Sequence, residues 1–213
     1  MLRSYEYKLS ATNLALLICL AATGSTAAQT ATPAAYPVAP DPSECVAEPT
    51  SIEEIAATLA TPVAQVFGSP APFDASAGAP AGEETSAEVI ATLRQVFACA
   101  NAGDALRVAS FYTDDFVREF FGGVPSEDLL EFLAIPPKPL PEDQKRVIIR
   151  FGEVQMLPDG RAGVTIVLDE PDDPRTEEPD FAILQRVEGR WLVDKLYEDG
   201  GTAATPVTST PPS

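Results

Sequence analysis

The chain of 213 residues contains no histidine. Histidine is the usual general base near neutral pH and a leading zinc ligand. Its absence excludes Ser-His-Asp and Cys-His nucleophilic catalysis. It also excludes the HExxH zinc site and the iron site built from two histidines and a carboxylate. Positive charge is scarce too. Against 32 Asp and Glu there are 14 Lys and Arg, a formal charge of −18. A phosphate backbone repels such a chain, so nucleic acid is not an expected partner. Anionic membrane surfaces are disfavoured for the same reason. Only three cysteines, two methionines and one tryptophan are present. There is no P-loop, dinucleotide-binding fingerprint or G-x-S-x-G turn, and no cofactor is expected.

What is present divides by composition. A hydrophobic fraction of 45% suffices for one core, while 21 prolines require part of the chain to be extended. The opening "MLRSYEYKLSATNLALLICLAATGSTAAQT" places Arg3 and Lys8 before an apolar run from Leu14 to Ala22, then small residues. This predicts a signal peptide over 1–28, cleaved after Ala28. The protein is then secreted or extracytoplasmic, with no stable membrane insertion after cleavage. Two alternatives stay open: lipidation at Cys19, opposed by the bulky Ile18 before it, and retention of the segment as an uncleaved anchor. Cys45 and Cys99 remain after cleavage, and in an exported chain two cysteines predict one disulfide. Two buried free thiols are the alternative.

Residues 29–50 read as a Pro/Ala/Thr-rich linker. A short helix over 51–61 follows, opened by the capping box of Ser51 and Glu54. Residues 62–84 are again loop-like, with Phe67 and Phe73 as apolar pins. The folded domain is expected over 85–199. Thr85 and Glu88 form a second capping-box pattern, and Val89, Leu93, Val96, Phe97 and Ala100 fall on one helical stripe. Gly103 ends that helix and Asp104 caps the next. Thr113-Asp114-Asp115 opens "DDFVREFF", Ser126 caps "SEDLLEFLA", and "PPKPLPED" closes the helical part. After Lys145 the period becomes two. Val147, Ile149 and Phe151 share a face, and the switch to Val154 and Met156 predicts a bulge at Gly152. "PDG" at 158–160 is a turn, and Ala162, Val164, Ile166 and Leu168 alternate on the return strand. The last hairpin spans Phe181 to Glu198 and turns at Glu188-Gly189. Residues 200–213 form a Thr/Pro-rich tail, expected to be disordered. Helices followed by a meander of four antiparallel strands predict an α+β fold, with the helices on one face of a curved sheet.

Two stretches, "FACANAGDALRVASFYTDDF" and "GRWLVDKLYE", resemble the nuclear transport factor 2-like superfamily, with its SnoaL-like and ketosteroid-isomerase-like branches. The resemblance covers 85–199. It implies a cone in which helices close the concave face of a bent antiparallel sheet around a pocket. It implies little about function, because this fold hosts enzymes, binding modules and assembly domains alike. The isomerase branch uses a carboxylate base and an oxyanion hole of a tyrosine and a protonated aspartate. The corresponding positions here are Val96 for the tyrosine and Phe120 for the base, with the third near Phe181, beside Asp180. Apolar side chains neither donate nor accept protons, so that catalysis is not expected.

The candidate pocket residues are Tyr112, Asp115, Phe120, Phe181, Trp191, Asp194 and Tyr197. Tyr112 with Asp114 and Asp115 fits acid–base work at a pocket mouth, or simple helix capping beside a packed ring. On the last strand, alternation puts Asp194 and Glu198 on one face and Lys195 and Tyr197 with Trp191 and Val193 on the other. Trp191 itself reads as a core aromatic. The acidic run Asp169, Glu170, Asp172, Asp173, Glu177, Glu178 and Asp180 fits a solvated loop, or a calcium site without EF-hand spacing. No metal is assigned. The expected role is a non-catalytic module that takes a small hydrophobic ligand or assembles with a partner, a homodimer through the sheet being the simplest assembly. One alternative is a carboxylate- and tyrosine-dependent enzyme of isomerase, cyclase or dehydratase type, acting on a small hydrophobic compound. The other is a purely structural envelope protein whose cavity is plugged by Phe120 and Phe121.

Overall fold

The computed structural model describes residues 36–61, 78–122, 124, 126–171 and 178–197. The expected signal peptide, Phe67 and Phe73, residues 172–177 of the acidic run, and the chain from Glu198 onward lie outside them.

Helices come first. Helix α1 (Ile52–Ala60) starts with the expected box: the Ser51 hydroxyl accepts from the Glu54 N–H, and the Glu54 carboxylate accepts from the Ser51 N–H. Helix α2 (Glu83–Asn101) begins at Gly82 rather than Thr85 and has no side-chain cap. Glu83 and Glu84 occupy its first turn, where negative charge opposes the helix dipole favourably. That extends the helix past Thr85, and Glu88 instead accepts a hydrogen bond from the Trp191 indole at 3.0 Å. Gly103 ends the helix with φ +65°, and Asp104 caps α3 (Ala105–Ala109). Thr113 caps α4 (Asp114–Phe121) by accepting from the Phe116 N–H, and α5 (Ser126–Leu133) follows.

The strands are β1 (Ala79–Pro80), β2 (Val147–Phe151), β3 (Gln155–Met156), β4 (Ala162–Asp169), β5 (Pro179–Val187) and β6 (Arg190–Tyr197). They form one curved, open antiparallel sheet in the order β1-β3-β4-β5-β6, with β2 also paired to β4. The fold is α+β. The β5–β6 turn uses Glu188 at φ 50° and Gly189 at φ 83°, the paired left-handed geometry that matches strand twist.

Two irregularities set which side chains face the core. The first lies between Ile148 and Arg150, not at Gly152. It turns Ile148 and Phe151 into the main core, in place of the expected face of Val147, Ile149 and Phe151. Gly152 serves close approach instead: a Cβ there would lie 3.1 Å from the Thr165 Cβ. The second lies in β6. Ile183 pairs with Lys195 while Leu184 pairs with Val193, so Asp194 is an extra residue. Trp191 and Val193 therefore join the main core, whereas Tyr197 packs with Leu157, Phe181 and Ile183 in a separate cluster. The simple alternation expected for β6 fails at this bulge.

The main core packs Val89, Leu93, Val96 and Phe97 of α2 against Val164, Ile166, Leu184 and Trp191 of the sheet. A second core joins α1, α4 and α5 through Ile55, Val117, Phe121, Leu129 and Leu133.

Residues 36–50 are extended in part, yet they belong to the domain rather than linking to it. Val38 exchanges two backbone hydrogen bonds with Ile148 at 2.9 and 2.8 Å. Cys45 is disulfide-bonded to Cys99, and Glu44 pairs with Arg94 at 2.8 Å. Asn101, fully buried, donates to the carbonyls of Pro40 and Arg146 at 3.0 and 3.1 Å and accepts from the Arg146 N–H at 2.8 Å. The asparagine of "NAGD" thus stitches the arm, α2 and β2 together. Composition gives no sign of this, because a proline-rich strand shows neither helical nor alternating period.

Candidate functional site

Tyr112 lies in the four-residue passage, Ser110 to Thr113, from α3 to α4. Val193 of β6 donates to the Phe111 carbonyl at 2.7 Å and accepts from the Thr113 N–H at 2.9 Å. The passage is thereby held parallel to the strand, and the Tyr112 ring is half-buried between the two cores. Phe116 and Phe120 follow at intervals of four, which places their rings along one helical stripe. Tyr112 meets Phe116 at 4.8 Å between centroids and Phe120 at 5.9 Å, both edge to face. Phe120 also meets Phe121 at 4.9 Å, yet remains 57% exposed.

Two charges act on this cluster. Burial pushes the Tyr112 phenol up to about 12, with Arg146 pulling it down and Glu170 pushing it further up. The phenol is therefore neutral at pH 7, a hydrogen-bond donor rather than a base. Arg146 precedes β2 and Glu170 follows β4, and the Arg146 Nε donates to the Glu170 Oε1 at 2.9 Å. One end of the sheet's inner face thus combines an aromatic stripe, a neutral phenol and an ion pair.

The other candidates lie elsewhere. Asp194 is buried and accepts from the Thr113 hydroxyl at 3.0 Å and from Arg161 at 2.7 Å. Arg161 also holds Asp159, so Asp194 ties the bulge to the start of α4. Asp115 is exposed in the first turn of α4 and paired with Arg118, which reaches the Thr58 carbonyl. Trp191 shares the main core with Tyr112, but its indole is bound to Glu88 and its ring lies under the Arg186 guanidinium at 5.6 Å. Phe181 and Tyr197 belong to the separate cluster with Leu157 and Ile183. Of the seven candidates the structure joins Tyr112 with Phe120, and Phe181 with Tyr197 in the separate cluster.

Three members of this end were not singled out as pocket residues from the sequence. Phe116 was readable from its spacing between Tyr112 and Phe120. Arg146 and Glu170 were not, because their meeting depends on the β2–β4 register, which the bulge after Ile148 sets.

Several carboxylates have displaced pKa values, and those displacements run downward. Asp41 is lowered by Ser43, Glu44 by Arg94, Glu54 by the Ser51 N–H and Asp159 by Arg161. A proton-shuttling carboxylate at neutral pH needs the opposite displacement. Among the described residues no group of three or more Cys, Asp or Glu is placed to hold a metal ion. Among them, too, no helix is long and apolar enough to cross a membrane. Comparison with family models, characterised proteins and solved structures finds no match.

Proposed function

We propose that this is an exported, non-catalytic binding module with a nuclear transport factor 2-like cone, and that the open end of the cone takes a small apolar ligand. The observation that carries the reading is Phe120, more than half exposed while stacked on Tyr112, Phe116 and Phe121. An aromatic side chain buries 150–250 Å² when covered, so leaving half of one in water forgoes about 2 kcal/mol at 25 cal/mol per Å². A ligand laid on that ring recovers this. The Arg146–Glu170 pair supplies a polar rim, as ligand sites combine apolar walls with a few polar groups. The disulfide and the N-terminal pattern support export.

The test is titration of the purified chain with a neutral fluorophore such as N-phenyl-1-naphthylamine, read beside native mass spectrometry. Saturable binding is expected, weakened tenfold or more by Phe120→Ala, with little change in the unfolding midpoint because the ring is half in water already. Absence of saturable binding, or equal affinity in the variant, overturns the proposal.

A further inference from the structure

A second surface lies between α5 and β2, in the segment Ile135-Pro136-Pro137-Lys138-Pro139-Leu140-Pro141. Proline fixes its own φ near −65° and bars the residue before it from the helical region. Here Ile135, Pro136, Lys138 and Leu140 each precede a proline, and four of the seven residues are prolines. From Pro136 to Pro141 these restrictions favour the polyproline II region, which has no internal hydrogen bonds, while the Ile135 N–H still bonds to the Phe132 carbonyl at 3.2 Å as α5 ends. Pro141 has φ −54° and ψ 154°, as that conformation requires.

The protein grips this segment along one side only. Leu140 donates to the Asn101 carbonyl at 2.8 Å and is half-buried. The Lys138 carbonyl rests on Gly103, so closely that a Cβ there would come within 2.2 Å of it. Ile135 through Pro139 nevertheless stay exposed, Ile135 at 62%, beside Phe132 at 53%. A connector that only had to leave a helix would not need a fixed, outward apolar ridge. The entropy of ordering such a ridge is already spent, which is what recognition of this conformation exploits.

We infer that this ridge is a docking site for a protein module with an aromatic-lined groove of the kind that accepts polyproline II ligands. Ile135-Pro136 and Lys138-Pro139 are its two contact pairs, three residues apart and so on one edge of a threefold helix. Charge selects among such modules. Exposed Asp128 and Glu131 precede the ridge and exposed Asp143 follows it, against the cation of Lys138, while Glu142 is already paired with Lys145. The partner's groove therefore has a basic rim, and binding weakens as salt rises. This site is separate from the aromatic end described above and stands without it.

The experiment uses the full chain against a small panel of isotope-labelled SH3-type and WW-type domains with basic-rimmed grooves. Chemical shifts of groove aromatics are expected to move on titration, and to weaken tenfold or more with the double variant Pro136→Ala/Pro139→Ala. Ile135→Glu keeps every proline and is expected to give the same loss, so a fold defect in the double variant leaves the decision intact. No shift in any member at about 1 mM chain, the weak limit of useful affinity, overturns the inference. Undiminished shifts with Ile135→Glu overturn it as well.

Discussion

Asn101 and Tyr112 show two uses of a polar side chain in a core. Asn101 is fully enclosed, and its amide is matched on both its donor and acceptor sides by backbone of the arm and β2. Tyr112 is half-buried between the two cores, and the cost falls on its ionisation. Its pKa is raised, so between the ordinary tyrosine value and about 12 the folded state holds a proton that the unfolded state has lost. By linkage, stability falls as pH rises through that window and is unaffected below it. Absorbance titration of the phenols should show a step near pH 12 that belongs to Tyr112. Tyr112→Phe should remove that step. If no step near pH 12 disappears in the variant, the ring is not buried between the two cores as described. At this scale several local contacts were readable, since Ser51, Asp104 and Thr113 all cap as their positions imply, but the Thr85–Glu88 box was not, because α2 already begins at Gly82. Glu88 was not, because its partner Trp191 lies 103 residues away.

Glycine and proline marked some elements correctly and misled at others. Glu188-Gly189 marks its own turn. The bulge at Asp194 carries no glycine, and ordinary alternation runs straight through it in the sequence. Only the packing of Val193 inward and of Tyr197 with Phe181 requires the extra residue. Gly152 was expected to be a bulge and is a close contact instead. Glycines therefore separate by cause, and this is measurable. Gly160 has φ +86° and open space around it. Gly160→Ala should cost about 1–2 kcal/mol from backbone strain alone. Gly103 has φ +65° and the Lys138 carbonyl where its Cβ would go. Gly103→Ala should exceed about 3 kcal/mol, strain and overpacking together. Urea unfolding of the two variants checks the order. Equal losses would mean that the approach of the proline ridge to α2 is not a tight one.

For the whole molecule, the α+β class was legible because the hydrophobic period changes at Lys145, whereas the expected four-strand meander is a six-stranded sheet with β1 lying between α1 and α2. The domain's beginning was not legible. The arm from Tyr36 looks like a linker, yet it is sewn to α2 and β2. Its covalent anchor closes a sequence separation of 54 residues. In the chain-entropy model such a loop is worth about 4 kcal/mol. Reduction, or the Cys45→Ser/Cys99→Ser pair, should lower the unfolding free energy by that order. Intact mass should rise by two hydrogens on reduction. An unchanged urea midpoint with reductant would show that the arm is held by its non-covalent contacts alone.

The short pieces that flank the sheet bear on how this molecule meets others. Val38 lies along β2, Ala79 and Pro80 lie along β3, and the Tyr112 passage lies along β6. Each occupies main-chain groups that a foreign strand would otherwise claim. Proteins with bare margins can stack end on end or lend a strand to a neighbour, whatever their side chains say. Here the chain's own backbone occupies Ile148 of β2, Gln155 and Met156 of β3 and Val193 of β6, so a foreign strand would have to displace it to pair at those points. Shortening the chain ahead of Pro40 would remove the Val38 pairing and bare the Ile148 main chain of β2 to a foreign strand.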